Sequence, residues 1–188
     1  MPASDLIRWG GLAGMGGGVL FIVYSLLGVA TGKGDEPGPL DLLTALAYVL
    51  EVVGLVGFHA LQGRNYGRIG RAVLYTAIGG IVVWAFLILV SLFGGMQGLG
   101  LLVVVGVLGM LVGFVLYGVA TLQAEVLPRW CGVLFIILVP GAILVFSILA
   151  GYYSSVWEGL VWLALGYALW SHRSSGAVAE QQRPLRVR

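Results

Sequence analysis

Long apolar runs separated by short polar breaks set the pattern of this chain. The runs cover roughly residues 9–30, 41–62, 69–93, 99–122, 131–150 and 153–171. Each is near the ~20 residues needed to cross ~30 Å of hydrocarbon at ~1.5 Å per helical residue. The breaks TGKGDEPGPLD, GRNYGR, GGMQG, AEVLPR and GYYS carry turn chemistry. The pattern predicts an all-α polytopic membrane protein with six transmembrane helices, arranged as three consecutive helical hairpins. One transmembrane domain then spans 1–172, with hairpins at about 6–64, 65–125 and 126–172, and 173–188 is a basic tail expected to be disordered.

Composition agrees. The 188 residues are 60% hydrophobic and 10% charged, with a mean hydropathy of +1.02. A soluble domain carries about a quarter charged residues, so there is too little polar surface here for a water-soluble globule. The 31 glycines suit close helix packing in a bilayer. Cys131 is the single cysteine, which excludes a disulfide framework, a CxxC pair or a zinc cluster.

Charge sets the orientation. Arg8, Arg64, Arg68, Arg71, Arg129, Arg173, Arg183, Arg186 and Arg188 fall on one side of the predicted spans, and only Lys33 on the other. That bias predicts that both termini are in the cytoplasm. The first run follows an Arg and ends in Gly28-Val29-Ala30, like a cleavable signal, but it is long for one.

It is also one copy of a repeat. Arg8-Trp9-Gly10-Gly11, Arg68-Ile69-Gly70-Arg71 and Arg129-Trp130-Cys131-Gly132 open the odd-numbered spans at offsets of 60 and 61. Gly57-Phe-His-Ala-Leu-Gln62 matches Gly118-Val-Ala-Thr-Leu-Gln123, again at 61, and Gly166-Tyr-Ala-Leu-Trp170 echoes it. All three hairpins have one topology, unlike the inverted repeats of many transporters.

The segments RWGGLAGMGGGVLF, ALQGRNYGRIGRA and LPRWCGVLFIILVPG resemble a family of small multi-span membrane proteins of high-GC bacteria, actinobacterial and Chloroflexi-like. The resemblance covers about residues 6–150. It implies the fold and the location and transfers no catalytic residue.

Several features read first as packing. Gly10, Gly14 and Gly18 repeat every four residues, as do Gly109 and Gly113, so that helix backbones approach closely. Through such Gly-rich faces a second copy or a partner membrane subunit could also dock. Pro140 removes a backbone donor inside the fifth span and is expected to kink it. Trp9, Trp130, Tyr152, Tyr153, Trp157 and Trp170 fall near span ends, as in an interfacial belt. The Arg64, Arg68 and Arg71 cluster fits topology determination or lipid headgroups. No nucleic-acid partner is expected, because basic residues are few and no binding fold accompanies them.

Two residues depart from this scaffold. Glu51 lies near the middle of the second span, where an acid costs roughly 2.5–3.5 kcal/mol on insertion scales. It must face the bundle interior, a polar partner or a water pocket. Tyr24, Ser25, Tyr48, Thr76 and Ser147 lie at suitable depths to partner it. The equivalent position in the second hairpin is Val112, and that of His59 is Ala120, so neither polar residue belongs to the repeat. Glu51 is the candidate ligand or ion site. His59 is the candidate cofactor ligand, for a pigment or haem, since His is the usual axial donor; it lies ~12 Å along the axis from Glu51. His172, at the cytoplasmic edge, offers no bis-His pair. No cofactor or metal is otherwise expected.

No P-loop, HExxH or nucleophile elbow is present, and no other span has a charge at its centre. The leading expectation is a non-catalytic membrane protein that binds a lipid, a pigment or a partner subunit. The alternatives are a small transporter or channel with Glu51 as its proton or cation site, and an intramembrane enzyme acting on a lipid-soluble substrate.

Overall fold

The computed structural model describes residues 3–32, 37–63, 67–93, 98–149 and 151–181, the side chains of 3, 67–69, 149, 151, 152 and 172–181 excepted. These residues are all helical: α1 (Ala3–Thr31), α2 (Asp41–Gln62), α3 (Gly67–Leu92), α4 (Gly100–Ala124), α5 (Arg129–Leu149) and α6 (Gly151–Gln181). Helices α1 to α5 are each long and apolar enough to cross a membrane. In α6, Glu158 and a run of Tyr, Ser, Trp and Gly dilute the apolar content. α1 starts earlier than the pattern predicts, and α6 continues past residue 171 to Gln181. Residues 182–188 of the tail, Lys33, Arg64 and the side chains of Arg68, Tyr152 and His172 lie outside the described residues.

Local chemistry sets the helix ends. α4 stops where Glu125 takes a left-handed conformation at φ 53°. Pro128 then precedes α5, where its missing N–H costs no helical bond. Asp41, in the first turn of α2, accepts from the Gly38 N–H at 2.8 Å and from the Tyr24 hydroxyl at 3.0 Å. One carboxylate thus ties the end of α1 to the start of α2, where the helix dipole favours an acid.

Each helix packs on its neighbours in sequence, and α6 returns to lie along α1, closing a ring. Glycine makes these approaches close. A Cβ added at Gly10 would come 2.6 Å from the Gly57 Cα, and one at Gly18 would come 2.6 Å from the Gly159 carbonyl oxygen. Gly14 fits against Gly166 and the Trp162 ring, so one stripe on α1 serves both α2 and α6. Gly109 and Gly113 receive Gly80 and Ala77 of α3. Both glycine stripes are filled by the chain's own helices.

α5 runs through Pro140 without a break. Beside it the Trp157 indole fits against Gly141 and donates to the Leu138 carbonyl at 2.9 Å. Trp157 therefore turns into the bundle, unlike Trp9, Trp130, Tyr153 and Trp170, which are exposed. Phe58, Phe114, Tyr117, Phe135 and Trp162 form a buried aromatic layer with Phe135 at its centre, 5.1 Å from both the Phe58 and Tyr117 rings. Such edge-to-face pairs each contribute about 0.5–1.5 kcal/mol. The outer surface is apolar, with Leu26, Tyr75, Phe93, Leu101 and Ile148 all strongly exposed. That suits a lipid environment, where association rests on packing rather than on water exclusion.

Candidate functional site

Beyond the aromatic layer the bundle opens into a cavity of about 680 Å³. It occupies the distal end, where α1, α3 and α5 finish and α2, α4 and α6 begin. All six helices line it. Asp41, Thr44 and Tyr48 descend α2 for two turns, facing Ser154, Ser155 and Glu158 on α6. Phe21 and Tyr24 close the α1 side and Trp84 the α3 side. The α4 and α5 walls are apolar: Met110, Val139, Ala142, Ile143 and Phe146.

Its polar groups are organised at two levels. At the rim, Asp41 is held by Tyr24 and Gly38. At the floor, the Tyr48 hydroxyl donates to Glu158 Oε2 at 3.4 Å. Tyr48 is itself fixed by the edge of Phe21, with ring centroids 5.1 Å apart, and by Trp84 beside its hydroxyl. Glu158 is only half-buried because the cavity exposes it. Among the described residues no Lys, Arg or His lines the space.

Glu51 lies one turn below Tyr48, beneath the floor rather than in the lining. It is 1% exposed and sits at the junction of α1, α2 and α6. Gly17 of α1 leaves room for its side chain, and the Trp162 indole of α6 lies beside it. Yet neither Glu51 Oε2 nor Trp162 Nε1 has a hydrogen-bond partner. Glu51 is also within Coulombic reach of Glu158. Below it, Leu55, Phe58, Phe114 and Phe135 are fully buried and separate it from the other end of the bundle.

No protein-family model, curated protein or solved structure matches this chain.

The five partners suggested for Glu51 by depth are engaged or placed elsewhere. Tyr24 bonds Asp41 and Tyr48 bonds Glu158. Thr76 and Ser147 are exposed and bond their own helices, at the Ala72 and Ile143 carbonyls. Ser25 is buried two turns above, near the α1 terminus. His59 stands apart from the cavity, half-buried at the opposite end of α2 beside Gly63 and within the field of Arg71.

Glu158 and Asp41 are the cavity carboxylates that the chain's pattern hides. Glu158 is six residues into the last apolar run and reads as interfacial. Asp41 reads as a loop acid. A faint signal was available for Glu158, which lies about as far from the end of its predicted span as Tyr48 and Tyr24 lie from the same-side ends of theirs.

Proposed function

We propose that this chain is a multi-pass protein of a bacterial cytoplasmic membrane that binds a lipid-soluble amphiphile in its distal cavity without transforming it. All six helices cross the bilayer in this reading, as three hairpins with both termini in the cytoplasm. The packing of α6 along α1, from Gly159 at Gly18 to Gly166 at Gly11, supports a sixth crossing at the same depth. The arginine distribution supports the orientation, which puts the cavity on the outer side.

One observation carries the binding reading: the cavity joins a polar floor, Tyr48 and Glu158, to an apolar wall on α5. Pockets of roughly 300–1,000 Å³ with few polar groups among apolar ones suit small ligands. Access from lipid is supported at α5. Ile143 and Phe146 line the cavity and are 46% and 56% exposed. α4 and α5 approach closely away from there, at Gly118 and Gly132, near the short turn that joins them. In this reading a chain enters between their distal halves.

Glu51, whose Oε2 makes no hydrogen bond, favours one second reading, a transporter with Glu51 as a proton or cation site. That reading requires the layer of Leu55, Phe58, Phe114 and Phe135 to open.

Extraction of bound small molecules from protein purified in nanodiscs tests the first reading. An amphiphile should accompany the wild type and be depleted in Ile143→Trp, which fills the cavity from a position with room outside. Equal recovery from both would remove the cavity as the binding site.

A further inference from the structure

Resting on that reading, we infer that the ligand of the distal cavity is a lipophilic organic cation, its positive head at Glu158 and Tyr48 and its apolar body along Val139, Ile143 and Phe146.

The charge balance of the cavity points this way. Among the described residues its carboxylate walls are Asp41 and Glu158, and none of the lining side chains is cationic. Asp41 is served by two donors, the Gly38 N–H and the Tyr24 hydroxyl. Glu158 receives one long bond, 3.4 Å from Tyr48, and stays open to the cavity. Glu51 adds a third carboxyl just below, with Oε2 buried and unpartnered. A carboxylate removed from water needs a counter-charge and further hydrogen bonds. An ammonium head supplies both at Glu158, to which the described residues bring one long hydrogen bond and no counter-charge.

The walls favour an organic cation over a metal ion. Tyr24, Tyr48, Trp84 and Phe21 line the acidic side, and aromatic rings attract cations within ~6 Å of the ring centroid. Among the described residues no three His, Cys, Asp or Glu side chains come together as metal ligands. The volume of about 680 Å³ and the apolar α5 wall leave room for a hydrocarbon body that a bare ion would not fill.

A matched pair of probes separates charge from shape. Tetraphenylphosphonium and tetraphenylborate share four phenyl groups and differ in sign. Their saturable binding is measured by equilibrium dialysis against protein in nanodiscs, with empty nanodiscs correcting for partition into lipid. The phosphonium should saturate the wild type, the borate should not, and Glu158→Gln should weaken phosphonium binding about tenfold or more, the scale of losing one charged partner. Equal saturation by both ions, or unchanged phosphonium affinity in Glu158→Gln, overturns the cation assignment and leaves the amphiphile reading standing. Absence of saturable binding for either ion overturns both. Glu158→Gln keeps an acceptor for Tyr48, and protection of the fully buried Cys131 from thiol reagents verifies that it folds.

Discussion

The Tyr48 hydroxyl on α2 reaches Glu158 on α6 at 3.4 Å, joining residues 110 apart in sequence at the floor of the distal cavity. The bond is long, so its net contribution is near the lower end of the usual ~0.5–1.5 kcal/mol. Tyr48→Phe should lower stability by about 1 kcal/mol or less, read from unfolding in mixed micelles. If the hydroxyl acts through Glu158, a Glu158→Leu background should remove most of that cost. An equal loss in both backgrounds would show that Tyr48 acts by other contacts.

Glu51 gives a prediction of opposite sign. Its Oε2 makes no hydrogen bond, so replacing the acid breaks none there and removes a buried polar burden. Glu51→Leu should leave stability unchanged or raise it by about 1–3 kcal/mol, the cost of an unsatisfied buried group. The same unfolding assay decides. A loss above about 2 kcal/mol would mean that Glu51 is a structural tie, and its standing as a ligand or ion site would fall.

Glu51 was legible in the sequence because a charge in the middle of a long apolar run is costly wherever the helix packs. The spans were legible for a related reason: bilayer thickness fixes their length before any tertiary contact exists. Glu158 was not legible as its neighbour. That meeting depends on α6 closing the ring against α1 and α2, and no local pattern encodes the closure. Sequence similarity between hairpins also misled about packing. Gly57 and Gly118 match at an offset of 61, yet Gly57 packs back on Gly10 of α1, while Gly118 packs forward on Gly132 of α5. The glycine motif encodes a close approach, and the ring decides to which helix.

Close approach can be tested residue by residue. A Cβ at Gly57 would meet the Gly10 Cα at 2.7 Å, and the backbone there cannot yield cheaply. Gly57→Ala should destabilise by about 1–3 kcal/mol through overpacking. Gly79, also inside a helix, has nothing within 4 Å of such a Cβ. Gly79→Ala should be neutral or stabilise by up to about 1 kcal/mol, by restricting the unfolded chain. Denaturant midpoints for the two variants should move apart. Similar midpoints would contradict the α1–α2 contact.

The lone cysteine reports on the register of α5. Cys131 is 0% exposed, while Trp130 beside it is 44% exposed on the outer face. In folded protein Cys131 should resist a maleimide and react only as the bundle opens, so its labelling should track the unfolding midpoint. Trp130→Cys, combined with Cys131→Ala, should label rapidly in native micelles, because it keeps the helix position and reverses the face. A ~100° rotation of α5 that carried Cys131 to the place of Trp130 would expose it. Fast labelling of native Cys131 would therefore displace Phe135, one turn further on, from the centre of the aromatic layer, and with it the barrier beneath the cavity.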